Sequence, residues 1–483
     1  MMQSLQAWVG EAWPYLFTIA YLAGAGWVTV DAVLRKRQAS AVVAWVGLAW
    51  LAPVSGAVAY YLLGINRIHR SASALERRVT IVPEAVHDAS LARGWPPAID
   101  PGFAGLLRLG ERVTRRPLYE GNSVEPLVDG DAAYPAMLAA IEAARHSVTL
   151  VSYIFDNDFA GQAFRDALAR AQARGVAVRV LLDDVGARYS KPTIEGELRA
   201  AGVPVAAFLP TRIRRLYQYA NLRNHRKIMV VDGCVGFTGG MNIRAGHWRG
   251  RSPANPVRCV HFRVVGPVVA DMQAMFATDW DFTTGERLEG GQWFAPVIDR
   301  GTVAVRGIPD GPDADIDNLP RLLLGALSVA TRCVRVVTPY FLPDEGLASA
   351  LAVAALRGVG VDIVIPARSN VPLMDWAMSP QLPWLLDAGC RVFRTPPPFD
   401  HSKLCVVDGE WAMVGSTNWD ARSLRLNFEY NLECYDRGFA ARLDAIIDGK
   451  IAGAREMCRA ELDARALPVR LRDGLTRLLS PYL

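Results

Sequence analysis

The sequence predicts an α/β protein made of two tandem repeats. Each repeat is expected to be a mixed, largely parallel sheet flanked by helices. The two should pack as one pseudo-twofold body, preceded by a two-helix transmembrane hairpin. Three observations carry this expectation. Residues 12–30 and 38–66 hold no charged side chain. Elements of the remaining chain recur at an offset of about 183–187 residues. A His-x-Lys-x4-Asp motif occurs twice, at His225 and at His401.

The chain has 483 residues, and at roughly 150 residues per domain this suggests about three units. The expected boundaries are a hairpin over 1–66, a linker over 67–118, a first repeat over 119–298 and a second over 299–483. A spanning helix needs ~20 mostly apolar residues. Both uncharged stretches reach that length, with Trp and Tyr near their ends as in an interfacial belt. Pro53 and Gly56 interrupt the second stretch. Basic residues give conflicting signs of orientation: Arg35-Lys36-Arg37 favours a cytoplasmic turn, while Arg67, Arg70, Arg77 and Arg78 favour a cytoplasmic domain. The 67–118 segment carries Pro83, Pro96, Pro97 and Pro101, and reads as a linker with short helices.

The repeat shows in three successive elements. A helix-like stretch runs into an apolar strand ending Val148-Thr-Leu-Val-Ser-Tyr153, and again into one ending Val334-Arg-Val-Val-Thr-Pro-Tyr340. Then "ALARAQARGVAVRVLL" (167–182) parallels "ALAVAALRGVGVDIVI" (350–365), each an Ala/Leu-rich helix, an Arg-Gly cap and a β-branched strand. Finally "AAGVPVAAF" (200–208) parallels "DAGCRVFRT" (387–395). Alternating strands and amphipathic helices argue for α/β layers.

Composition narrows the function. Half the residues are hydrophobic and 21% are charged, which excludes a disordered chain. The net charge of +5 suits an anionic partner such as a phosphate or a lipid surface, and is too small to argue for nucleic acid. Seven scattered cysteines, none at metal-ligand spacing, read as free thiols. Arginine outnumbers lysine 48 to 5, yet two of the five lysines, Lys227 and Lys403, stand two residues after a motif histidine.

The first motif reads His225-Arg-Lys227-Ile-Met-Val-Val-Asp232-Gly233, the second His401-Ser-Lys403-Leu-Cys-Val-Val-Asp408-Gly409. Each is a strand entering an Asp-Gly turn and a returning strand, hence a hairpin. Alternation puts His and Lys on one face, where both can meet one ligand. Asp232 and Asp408 fall on the other face or in the turn, where bracing suits them better. Each hairpin is followed by an asparagine, Asn242 or Asn418, returning toward the His-Lys face. This set suits attack on a phosphodiester. One neutral imidazole attacks phosphorus and forms a phosphohistidine. The other, protonated, supplies the leaving alkoxide with its proton. Lysines and amides hold the non-bridging oxygens. The six motif residues His225, Lys227, Asp232, His401, Lys403 and Asp408 are the candidate catalytic set, with Asn242 and Asn418 as substrate-binding. The chemistry calls for no cofactor and no metal.

These residues resemble the phospholipase D superfamily, and within it the bacterial cardiolipin synthases. "GAVAYYLLGINR" (56–67) is similar to that family's N-terminal anchor, and "NLRNHRKIMVVDG" (221–233) to its first motif. "TPYFLPD" (338–344) is similar to the opening of its second half, and "HSKLCVVDGEWAMVGSTNWDARSLRLNFEYNLE" (401–433) to its second motif and tail. The resemblance covers almost the whole chain. It implies transfer of a phosphatidyl group between two phosphatidylglycerols, giving cardiolipin and glycerol, at a bacterial cytoplasmic membrane that the chain crosses more than once. It implies His225 as nucleophile and His401 as general acid, although the near-symmetry of the repeats allows the reverse. Glu429 would join the substrate-binding group and orient His401.

One departure is clear. Where the family carries an acidic residue before a Gly-Pro, this chain reads Val257-Arg258-Cys259-Val260-His261, leading to Gly266-Pro267. If that acid orients the first histidine, Cys259 should weaken control of the His225 tautomer. His261 reads as a partly exposed strand histidine. Near the first motif, Arg212, Arg214, Arg215, Arg223 and Arg226 interleave with Tyr217 and Tyr219, either a lipid-phosphate patch or a solvated face. Other readings of the same residues are a phospholipase D hydrolase, a phosphatidylserine synthase-like transferase, a nuclease-type phosphodiesterase and a non-catalytic membrane scaffold. The membrane hairpin and modest charge argue against nucleic acid as a partner. Nothing in the sequence sets an oligomeric state.

Overall fold

Short β-branched runs bounded by Gly and Asp lay down the sheet, and the alanine- and leucine-rich segments between them form the covering helices. The computed structural model describes residues 2–36, 39–52, 54–64, 99–210, 222–296, 298–312 and 315–480. The patch residues Arg212, Arg214, Arg215, Tyr217 and Tyr219 and the run Arg67–Arg78 lie outside these. The chain divides into two compact units, Met1–Ala74 and Leu75–Leu483.

The first unit is helical. Its helix Met2–Arg35 contains a segment, Ala12–Arg35, long and apolar enough to cross a membrane. The second apolar run is not the single helix expected. It divides into Ala39–Leu51 and Ser55–Leu63, with Pro53, which has no N–H to donate, in the interval. Gly56 permits a close approach there, since a Cβ would stand 2.4 Å from the Leu48 carbonyl oxygen. Ala25, Val28, Ala32, Ala49 and Tyr60 form this unit's small core. Tyr60 donates a 2.7 Å hydrogen bond to Asp31, which also pairs with Arg35.

The second unit is built on a mixed sixteen-stranded sheet. From one edge the strands run Val205–Phe208, Ala177–Asp183, Ser147–Ser152, Ile228–Val231, Val235–Gly239, Val260–Val265 and Tyr119–Val128. The order then continues Val303–Asp310, Asn427–Tyr435, Trp411–Gly415, Leu404–Val407, Cys333–Val337, Gly360–Pro366 and Arg391–Thr395. The second series has the same pairing senses as the first, read backwards from the centre. In each half the three helix-linked strands are parallel, and the strands from there to the centre pair antiparallel. The short Arg455–Glu456 adds an antiparallel edge beyond Arg391–Thr395, and Arg223–Asn224 pairs parallel with Asn427–Tyr435 off the main order. The sheet is therefore mixed but not largely parallel. Only the helix-linked outer strands are crossover units; the motif hairpins and the central strands pair antiparallel. Tyr119–Val128 meets Val303–Asp310 at the centre and joins the halves edge to edge.

Each half has its own core between sheet and helices. The stretch expected to be a linker contributes to one of them. Helix Ala104–Thr114 packs on Asn318–Val329 and buries Leu106 among Leu322, Leu323 and Ala326. All seven cysteines are free.

The two motif aspartates hold strand entrances. Asp232 and Gly233 have φ of 52° and 62°, Asp408 and Gly409 53° and 63°, the positive central pair of the tight turn in each three-residue hairpin loop. From that turn Asp232 accepts the N–H groups of Arg145, His146 and Ser147. Asp408 accepts those of Thr331, Arg332 and Cys333, with the Thr331 hydroxyl in addition. These amides open the neighbouring strands, so each carboxylate bolts its hairpin to the next strand. Asp408→Ala should cost about 2–4 kcal/mol in urea unfolding, the penalty for orphaned amides. Asp408→Asn, which tolerates the turn conformation, should cost less. An alanine variant as stable as the parent would refute the bracing role.

Candidate active site

Each motif histidine sits just before a strand, in a loop pinned from two sides. The preceding residue turns the chain: Asn224 accepts the Arg226 N–H and Asp400 accepts the Ser402 N–H. The loop is then strapped to the other half of the sheet. Arg223–Asn224 pairs parallel with Asn427–Phe428, and the His225 N–H donates to the Phe428 carbonyl at 2.9 Å. Phe399–Asp400 pairs parallel with Val257–Arg258, and the His401 N–H donates to the Arg258 carbonyl at 2.8 Å. Buried ionic groups back both straps: Arg226 with Asp279 under the first, Lys450 with Asp400 under the second.

This exchange brings His225 and His401 to one cavity of about 580 Å³. Asn242 and Asn418 line it too, as expected. Asn242 accepts the Ile154 N–H through Oδ1, leaving its amide N–H groups for the cavity. Asn418 donates to the Ser423 hydroxyl. Sequence reasoning missed several lining residues: Tyr153, Tyr340, Arg244, His247, Asp420 and Arg422. The two tyrosines had a signal, because each ends the repeated strand. Tyr153 lies 4.9 Å from the His225 ring and Tyr340 6.3 Å from the His401 ring, both edge-on.

The partners of the two histidines differ from expectation. Glu429 was expected to orient His401 but bonds His225 instead, its carboxylate oxygens 2.8 and 3.0 Å from Nδ1. The cause is the strap: the strand Asn427–Tyr435 belongs to the second half but runs beside the first histidine. Glu429 is buried and stands behind His225, also held by the Ser416 hydroxyl and the Asn427 amide. It is placed to orient the ring rather than to touch a ligand. Correspondingly, Cys259 sits beside His401, with Sγ 3.4 Å from the His401 carbonyl oxygen. No carboxylate meets the His401 ring among the described residues. Its Nδ1 lies 2.9 Å from the Gly240 carbonyl, which takes an Nδ1–H and leaves Nε2 toward the cavity. Gly240 is required here: a Cβ would come 2.7 Å from the His401 carbonyl oxygen and 2.9 Å from Cys259 Sγ. His261 is buried rather than partly exposed.

Both lysines are buried, and each ammonium donates a 2.8 Å hydrogen bond to its own histidine's carbonyl. Lys403 Nζ also stands 3.2 Å from both ring nitrogens of His401. Asp232 and Asp408, counted with the catalytic set, brace the hairpin turns and do not line the cavity.

Burial sets the charges. Desolvation, then the neighbouring lysines, hold His225 well below the ordinary histidine value, and His401 likewise. Desolvation brings Lys227 down to about 7 and Lys403 down to about 8, while it pushes Glu429 up to about 8. Neutral imidazoles thus stand in a field of lysines suited to an anion.

Comparison with known proteins supplies the family. A profile described as "Cardiolipin synthase, PLD-like domain" matches residues 137–280 and 323–451. The chain belongs to this cardiolipin synthase family. It is 33% identical to a cardiolipin synthase of Geobacillus kaustophilus, over 97% of this chain and 94% of that protein. It is 34% identical to cardiolipin synthase A of Pseudomonas putida (strain W619), over 94% of this chain and 95% of that one. The structure of phosphatidylserine synthase from Haemophilus influenzae is 14% identical and superposes with a TM-score of 0.61, over 78% of this chain and all of that chain. That likeness shows a shared fold.

The charge pattern makes binding pH-dependent. Inhibition by dimethyl phosphate, a monoanion throughout, should weaken as pH rises through about 7 to 8. Loss of lysine charge and ionisation of Glu429 act in the same direction, and the histidines stay neutral in that window. Inhibition unchanged up to pH 10 would contradict the depressed lysines.

Proposed function

We propose that this chain is a cardiolipin synthase that moves a phosphatidyl group from one phosphatidylglycerol to another, releasing glycerol. The observation that carries this reading is the meeting of both His-Lys pairs at one cavity, in a chain of the cardiolipin synthase family.

His225 is the nucleophile. Attack through Nε2 places positive charge on the ring, and Glu429 at Nδ1 stabilises that charge. His401 is the general acid. It has a neutral carbonyl at Nδ1 and Lys403 against its ring, so once protonated it gives up its proton readily. The phosphodiester's own charge compensates that proton in the complex. Lys227, Lys403, Asn242 and Asn418 hold the phosphoryl oxygens as charge shifts. In the first step the His225 Nε2–P bond forms, the P–O bond to glycerol breaks and His401 protonates the departing oxygen. In the second step the acceptor lipid's hydroxyl gives its proton to His401 and attacks phosphorus, freeing His225. Asp232 and Asp408 support the hairpins that carry these groups.

The halves, 119–298 and 299–483, are tandem repeats packed about a pseudo-twofold axis. The mirrored strand order supports this. Residues 1–66 anchor the chain in the bacterial cytoplasmic membrane, and the apolar segment Ala12–Arg35 supports that anchor. The donor and acceptor are phosphatidylglycerol.

Purified protein in phosphatidylglycerol vesicles should form cardiolipin and glycerol in stoichiometric amounts, followed by mass spectrometry. Phosphatidic acid as the sole product would make the enzyme a hydrolase. His225→Ala and His401→Ala should each lower turnover at least about 10³-fold, the range for losing a catalytic group. Full activity in either variant would refute a single shared site.

A further inference from the structure

The helix Leu467–Arg477 is amphipathic in the reverse sense from a surface helix of a soluble body. At 100° per residue, Leu467, Leu471, Leu475 and Leu478 fall within an arc of about 80°, and they are 66%, 57%, 66% and 73% exposed. Leu479 continues the stripe and is also exposed. The face turned to the protein instead carries Asp473 and Thr476, only 2% and 7% exposed. Arg465 and Arg472 hold Asp473 in place at 2.8 and 2.7 Å. A helix that buries its acid and shows its leucines has its apolar face prepared for something other than water.

The charges around the stripe define what covers it. Arg470 and Arg477 are exposed on the helix, and Arg472 stacks on Trp376 at 4.3 Å. Three arginines thus stand against one buried aspartate on the helix. A cavity of about 300 Å³ beside it is lined by Arg394, Arg455, Arg465 and Arg472, against Asp375 and Glu461. Leucines rimmed by arginine fit the boundary between acyl chains and anionic headgroups. The same rim disfavours a second copy of this chain, since a twofold contact would bring arginines against arginines.

The position ties the helix to the cavity. It packs on the short helix Pro372–Met378. Met374 of that helix and the preceding Val371 line the active-site cavity, and Val371 and Leu373 are exposed. We propose that Leu467–Arg477 is a membrane-docking helix of the catalytic unit, its leucine stripe seated in an anionic phospholipid bilayer and its contact with Pro372–Met378 holding the cavity at the lipid surface. The inference takes its lipid surface from the function proposed above, but contact at this helix requires no turnover.

The test uses the full-length protein in phosphatidylcholine vesicles with and without phosphatidylglycerol. A benzophenone amino acid replaces Leu475, or Ala441 as an exposed control. Lipid adducts at 475 should exceed those at 441 at least fivefold and rise with the phosphatidylglycerol fraction. Adducts to a second protein chain, or lipid adducts no more frequent than at 441, would overturn the proposal. In parallel, Leu471→Glu combined with Leu475→Glu should raise KM for vesicle phosphatidylglycerol about tenfold with kcat retained, while activity on a monomeric short-chain lipid is unchanged. An unaltered KM on vesicles would also overturn it. If no form turns over phosphatidylglycerol, the proposed reaction fails, and crosslinking still decides the helix.

Discussion

The site depends on one exchange between the halves of the sheet. Each histidine loop is strapped by parallel pairing to a strand from the other half: Arg223–Asn224 to Asn427–Phe428, and Phe399–Asp400 to Val257–Arg258. Without these straps the two His-Lys pairs would belong to separate hairpins. With them the rings share a cavity, and each is backed by a residue remote in sequence. The antiparallel joint between Tyr119–Val128 and Val303–Asp310 makes the exchange possible, because it fixes the two half-sheets as one surface.

Unlike backing makes the two half-sites unlike in chemistry. His225 faces a buried carboxylate, itself held by Ser416 and Asn427. At the corresponding place beside His401 stand Cys259 and Gly240, whose carbonyl meets the ring at Nδ1, with Lys403 against both ring nitrogens. A carboxylate favours the ring that must carry positive charge through a covalent intermediate. A neutral acceptor favours the ring that must release a proton. Burial keeps both neutral, so the anionic substrate brings the counter-charge that lets protonation begin.

Much of this was legible in the sequence, and the limits have physical causes. The motif residues, the asparagines and the bracing role of the aspartates followed from spacing and strand alternation, which are local. The parallel outer strands followed from helix-strand periodicity. The sheet as a whole was misread as largely parallel because the central pairings join segments distant in sequence, such as Tyr119 with Val305 and Ser123 with Val265. The partner of each histidine was misassigned for the same reason: Glu429 is near His401 along the chain but reaches His225 through a two-residue strap. The second apolar run was long enough for one helix, but it contains Pro53, and it divides there into Ala39–Leu51 and Ser55–Leu63. Tyr153 and Tyr340 were visible as strand ends, whereas Arg422 and His247 had no local pattern to mark them.

The central claim is that the carboxylate-backed histidine carries the covalent intermediate. The most direct measurement is a rapid alkaline quench of the enzyme turning over short-chain phosphatidylglycerol, followed by peptide mass spectrometry of the trapped phosphohistidine. The account predicts the adduct on the peptide containing His225 and none on that containing His401. An adduct on His401 would contradict it.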